Sequence, residues 1–231
     1  MAVSRHALQT RRTVWHPAHR LIPSRFPPIG LFDRVADPAD LDAVYAVEAL
    51  TNDRIREETG ALTLVDAAER VSGPGTTPIM AAFTHVNPEG SRFSDATLGV
   101  WYCSRELPTA LAEVRYHQER FLRRTQETAL RVEMRLYVVD VDARLVDVRK
   151  LPECHLRDDY GPSRAVGVSL RAAKRDGVLY QSVRRAKGHC AAIFRPKVLS
   201  RCRQAKHYAL HFDGERVVSI NEMTNVWTAG A

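Results

Sequence analysis

The chain has 231 residues, enough for one substantial core, and its 45% apolar and 26% charged composition is that of an ordinary globular protein. No apolar run approaches the roughly 20 residues a membrane-crossing helix needs, so the pattern excludes a transmembrane span. The net charge of +7 is unevenly spread: residues 1–25 hold five arginines and no acid, residues 171–207 hold eleven Lys/Arg against Asp176 alone, and the remainder is acidic. That asymmetry suits an anionic ligand, an acidic partner or nucleic acid.

In chain order, residues 1–13 are basic, without an apolar segment of the secretory kind, and read as a disordered tail. The rest, residues 14–231, reads as a single domain with an inserted helical segment near 38–75. Trp15 to Pro28 is rich in proline and aromatics, which predicts extended chain. Asp40 to Glu58 predicts a helix, and Ser72-Gly73-Pro74-Gly75 a turn. Leu98 to Cys103 predicts a short buried strand. Glu106 to Arg124 follows as a helix with Leu107, Leu111, Val114, Phe121 and Leu122 on one stripe and Pro108 in its first turn. Val132, Met134, Leu136 and Val138 alternate with polar positions as in a half-buried strand, and Leu145 to Val148 extends the sheet. A helix over Ser163 to Arg175 and strands at Val178–Gln181, Cys190–Phe194 and Tyr208–Phe212 complete the reading. Without a regular βαβ rhythm, the expected fold class is α+β, a single domain on a mixed, mainly antiparallel sheet.

The four cysteines, Cys103, Cys154, Cys190 and Cys202, contain no C-x-x-C pair, which argues against structural zinc or a disulfide framework and for a reducing compartment. Cys103 and Cys190 lie in apolar runs and read as buried thiols. No histidine spacing suggests a metal site, and neither G-x-G-x-x-G nor G-x-x-x-x-G-K-[ST] occurs. Asp140/Asp142 and Asp158-Asp159 read as strand-end and loop residues.

Three polar side chains stand at element ends, where scaffolds place chemistry. Arg92 follows a Pro-Glu-Gly turn and offers a planar fork of donors for phosphate, or alternatively caps a loop. Glu113 lies beside the apolar stripe of its helix, where a carboxylate must be paired or bind something. Ser182 ends the strand Val178–Gln181. It is placed for a ligand hydroxyl or amide, but lacks the surroundings of a hydrolase nucleophile. Tyr102, a strand aromatic, is suited either to the core or to stacking on a flat ring.

Taken together, His19-Arg20-Leu21, Gly90-Ser91-Arg92-Phe93, the passage from Tyr102 through Ala110 to Glu113, the strand from Gly177 to Arg184 and the closing Ala191-Ala192-Ile193-Phe194 resemble the RES-domain family, named for its arginine, glutamate and serine. The resemblance implies a fold like that of ADP-ribosylating toxins and an NAD-consuming toxin of a toxin–antitoxin pair. It also implies phosphorolysis of NAD to nicotinamide and ADP-ribose 1″-phosphate, or else ADP-ribosyl transfer to a protein. Inorganic phosphate would be the co-substrate, and a cognate antitoxin, often DNA-binding, would block the site in the cytoplasm, with a homo-oligomer possible in the complex. By that resemblance Arg92, Glu113 and Ser182 are the catalytic set, and Arg20, Tyr102 and Arg184 bind substrate, with Arg25 the rival of Arg20. No resident metal or prosthetic group is expected. A basic nucleic-acid-binding module is the distant alternative for the 171–207 stretch.

Overall fold

The longest strand, β3 (Leu130–Asp147), organises the computed structural model, which describes residues 8–24 and 61–224. From Leu130 to Glu133 its side chains are at most half-buried. From Met134 to Val141 every residue is buried, because packing covers both faces. Met134, Leu136 and Val138 point to one face, and Tyr137, Val139 and Val141 to the other.

Around this spine the described elements are β1 (Thr10–Pro23), α1 (Thr77–Thr84), β2 (Trp101–Ser104), α2 (Leu107–Arg124), β3, α3 (Gly161–Ala172), β4 (Gly177–Gln181), β5 (His189–Ile193), β6 (Leu199–Phe212) and β7 (Val217–Met223). The sheet order is β1-β2-β5-β4-β3-β6-β7, with β1 also paired to β3, so five strands close on themselves while β6 and β7 extend from the β3 edge. Among the described strands only the β3–β4 pair is parallel. The fold is thus α+β on a mainly antiparallel sheet, as the sequence pattern implied.

One core joins α1 to Trp15, Trp101, Cys103, Val139, Val141 and Ile193 on one face. On the other face, α3 packs over Phe93, Val178, Tyr180 and Ala192, and α2 over Met134, Leu136, Tyr208 and Leu210. Each large apolar side chain so buried contributes about 1.5–3 kcal/mol. All four cysteines are buried thiols outside any disulfide, Cys103 and Cys190 among them.

Several boundaries differ from the sequence reading. The basic residues taken for the end of a tail are strand: β1 begins at Thr10, and Arg11 and Arg12 pair with Asp147 and Asp142 of β3. The pieces at Val132–Val138 and Leu145–Val148 fall on one strand, which ends at Asp147; its apolar positions shift from even numbers up to Val138 to odd numbers from Val139 to Leu145, and that change of phase reads as a break. β6 begins at Leu199, nine residues before the predicted Tyr208, because Ser200 to Lys206 is largely polar and exposed. Helix α1 was not predicted; its Ile79, Met80, Ala82 and Phe83 are buried and leave no polar stripe to read. Of the expected insertion, residues 61–75 hold two short 3-10 turns and the Ser72–Gly75 turn. The helix expected over Asp40–Glu58 lies outside the described residues, as does Arg25.

Candidate active site

The sheet parts between β1 and β2, which share a single residue pair, His19 with Ser104. A cleft of about 1600 Å³ opens there, lined by Arg20, Arg92, Trp101, Tyr102, Glu113, His117 and Tyr160 among others. Ligand pockets commonly run to about 300–1,000 Å³, so this one has room for a dinucleotide and a second small group.

Arg92 enters from a sharp corner between α1 and β2. Gly90 makes that corner with a φ of +68°, where a Cβ would lie 2.7 Å from the Ser94 carbonyl oxygen. Ser91 N–H donates to the Ser94 carbonyl at 2.8 Å. Arg92 itself is only 7% exposed. Its Nη1 donates to the carbonyls of Cys154 (3.1 Å) and Leu156 (2.8 Å), and its guanidinium lies 4.5 Å from the Tyr160 ring centroid.

Tyr102 fixes the same corner from β2. Its hydroxyl accepts the Phe93 N–H at 2.9 Å and bonds Ser91 Oγ at 2.8 Å. Burial pushes this phenol up to about 12, although Ser91 and Phe93 pull the other way. The sequence suggested a stacking aromatic; the hydroxyl is in fact tied to the backbone that carries Arg92.

Glu113 sits in the second turn of α2, half-buried, on the helix face turned to the cleft. Ser182 Oγ donates to its Oε1 at 2.5 Å. Ser182 Oγ in turn accepts the N–H groups of Arg184 (3.1 Å) and Arg185 (3.0 Å), and Ser182 N–H donates to the Gly188 carbonyl at 2.9 Å. The Ser182 hydroxyl therefore has its one proton on Glu113 and both acceptor positions filled. Burial raises the Glu113 carboxyl above its ordinary range, opposed by Ser182, Arg184 and Arg92.

Arg20 stands at the parting of the strands, its guanidinium 4.5 Å from the Trp101 ring centroid, with Nη1 donating to the Tyr102 carbonyl at 3.4 Å. Burial lowers its pKa, but an arginine remains charged.

Arg184 takes another position. Its side chain is 4% exposed, lies 3.3 Å from the Tyr116 ring centroid, and donates from Nη2 to the Arg157 carbonyl at 2.5 Å. It is absent from the cleft lining and reaches the site through its backbone bond to Ser182 and its charge on Glu113.

The structure thus brings Arg20, Arg92, Tyr102 and Glu113 to one cleft, with Ser182 directly behind Glu113 and Arg184 behind both. The sequence reading missed Tyr160 and Tyr116, which cover the guanidiniums of Arg92 and Arg184, and it took His117 only as a non-metal histidine. His117 was within reach of the pattern, since it follows Glu113 by one helical turn.

A family model described as RES domain matches residues 67–213. An uncharacterised protein of Sinorhizobium fredii, y4oC, is 32% identical over 204 residues, covering 86% of this chain and 84% of that protein. The chain belongs to the RES-domain family. Among solved structures it is similar to a chain of the Mycobacterium tuberculosis MbcT–MbcA toxin–antitoxin complex, at 13% identity and a TM-score of 0.48, with 90% of this chain and 89% of that one covered. The matched span of the RES domain begins at Ala67, so it holds Arg92, Glu113 and Ser182, while β1 and Arg20 precede it. No helix among the described residues is long and apolar enough to cross a membrane.

Proposed function

We propose that the cleft binds NAD and breaks the bond between nicotinamide and ribose, with inorganic phosphate as the acceptor, giving nicotinamide and ADP-ribose 1″-phosphate. The observation that carries this reading is the Glu113 carboxylate. It faces the cleft, is locked by Ser182, and is accompanied by the buried cation Arg92.

Cleavage of a nicotinamide glycoside builds positive charge on the ribose, and nicotinamide departs neutral without needing a proton. One oriented carboxylate in a partly desolvated wall is suited to stabilise that charge. With Nη1 of Arg92 committed to two carbonyls, its remaining edge has no hydrogen-bond partner among the described residues and can receive pyrophosphate oxygens, and Arg20 offers a second cation at the parting of the strands. Ser182 acts through Glu113: with its proton and acceptor positions spent, it orients the carboxylate rather than the nicotinamide amide.

The same chemistry with a protein acceptor is mono-ADP-ribosyl transfer, and the cleft wall does not choose between them. By family membership the protein is proposed to be the toxin of a toxin–antitoxin pair acting in the cytoplasm. The 171–207 stretch is less cationic than its sequence suggests. Arg195 pairs with Glu69 and Asp176, Arg201 with Asp140, and Lys206 with Glu222. Lys174, Arg175, Arg185, Lys187 and Lys197 are exposed and suit an acidic antitoxin surface better than a nucleic-acid groove.

The test is purified, antitoxin-free protein incubated with NAD, with and without inorganic phosphate. Phosphate-dependent nicotinamide release and a phosphorylated ADP-ribose are expected. Phosphate-independent release with label on a protein would replace the phosphorylase by the transferase, and no NAD consumption by folded protein would end the reading.

A further inference from the structure

The cleft holds a second ionisable group that neither the sequence reading nor the mechanism above uses. His117 lies on α2 four residues after Glu113, so both side chains leave the same side of the helix, and both line the cleft. The imidazole is exposed to the cleft space, and its described contact is an edge-on approach to the Tyr116 ring, centroids 5.3 Å apart. Among the described residues neither ring nitrogen has a hydrogen-bond partner. His155, by contrast, spends both of its nitrogens on backbone, at the Leu151 carbonyl and the Gln181 N–H.

The charged and titratable groups around His117 come from four elements. Glu113, Tyr116 and Arg120 share its helix, Arg92 comes from the corner before β2, Arg184 from the loop after β4, and Tyr160 from the start of α3. Enclosure by the cleft walls and the charges of Arg184, Arg92 and Arg120 push His117 down to about 4. At neutral pH it is an unprotonated imidazole, able to accept a proton. The surrounding guanidiniums favour an anion next to it.

We propose that His117 is a further catalytic residue on the acceptor side of the cleft, taking the proton of the acceptor's hydroxyl as that oxygen bonds to the anomeric carbon of the ribose. The proposal rests on the reading of the cleft as an NAD-cleaving site. In the step, the bond between the anomeric carbon and the nicotinamide nitrogen breaks and its electron pair leaves on nicotinamide, which becomes neutral. A bond from an oxygen of dihydrogen phosphate to the anomeric carbon forms, and the proton of that oxygen passes to the imidazole. The resulting imidazolium returns its proton to solvent after the products leave. Glu113 and His117 thereby divide the work: one stabilises charge on the ribose, the other receives the proton of the incoming group.

The experiment compares wild type, His117→Gln and His117→Gly. NAD affinity is measured by calorimetry without phosphate, and nicotinamide release with saturating NAD and phosphate. Expected are an NAD affinity within two-fold of wild type in both variants and a turnover about 100-fold lower. Added imidazole should restore turnover saturably in His117→Gly and not in His117→Gln, where the side chain fills the space. Turnover within three-fold of wild type in His117→Gln would overturn the proposal while leaving the NAD reading intact. A loss in both variants that imidazole does not restore in His117→Gly would assign His117 a structural role and overturn it equally. Failure of wild type to release nicotinamide would remove the NAD reading and the proposal together.

Discussion

At the scale of single residues, the site is built from side chains that hold one another. Tyr102 is an instructive case, because its ring and its hydroxyl make different predictions. Tyr102→Phe keeps a ring that can stack on a ligand but orphans the Phe93 N–H and releases Ser91. Leaving a buried donor unsatisfied costs about 1–3 kcal/mol, so thermal unfolding should begin at a lower temperature and Arg92-dependent NAD affinity should fall. An unchanged melting temperature and affinity would return Tyr102 to a stacking role. Ser182→Ala removes a bond that lowers the Glu113 pKa. The acidic limb of the rate–pH profile, already displaced above the ordinary glutamate range by burial, should therefore move to still higher pH. A profile that keeps its shape and position in Ser182→Ala would contradict the coupling. The arginine, glutamate and serine were legible as a set from their order in the chain. Their division of labour was not: the contacts that commit Ser182 to Glu113 and Arg184 to Tyr116 join residues 69 and 68 positions apart, respectively, and no local pattern records such contacts.

At the scale of elements, the corner from Gly90 to Phe93 transmits most between fold and function. It carries Arg92, is tied to β2 by Tyr102 and to α3 by Arg164, whose guanidinium donates to the carbonyls of Ser91 (2.9 Å) and Glu89 (2.6 Å). Gly90→Ala places a methyl group against the Ser94 carbonyl in a left-handed conformation. It should cost at least about 1 kcal/mol of stability, with a larger loss in NAD binding than in secondary structure by circular dichroism. A wild-type affinity in Gly90→Ala would show that Arg92 does not depend on this corner. Elements with one solvated face, such as α2 and the first part of β3, were readable from periodicity. Helix α1, packed on both sides, was not, because burial on every face leaves no polar positions to set the period, and β3 was read in two pieces because its apolar positions change phase between Val138 and Val139. β1 failed differently. Its arginines read as a tail, since their partners Asp142 and Asp147 lie some 130 residues away.

For the whole molecule, the titrating groups of the site give opposite pH signatures. His117, at about 4, and His155, also lowered by burial, are neutral in both folded and unfolded chains above the ordinary histidine value of 6.5 and contribute nothing there. As pH falls below 6.5 the unfolded chain takes up these protons first, so stability falls from about pH 6.5 towards 4. Glu113 has a raised folded pKa, so its contribution is fully present below the ordinary carboxylate value and is lost as pH rises through the folded value. Denaturant titrations from pH 4 to 8 should show the histidine loss in wild type and a smaller one in His117→Gln. Equal slopes in the two proteins would contradict the neutral state assigned to that ring.

The central claim is that Glu113 does chemistry on a dinucleotide held in the cleft between β1 and β2. Nicotinamide release from NAD by wild type and by Glu113→Gln, measured side by side with matched circular dichroism spectra, tests it most directly. The account predicts release by wild type and a loss of at least about 100-fold in the variant, which keeps the Ser182 contact and the fold. Full turnover in a folded Glu113→Gln protein would contradict it.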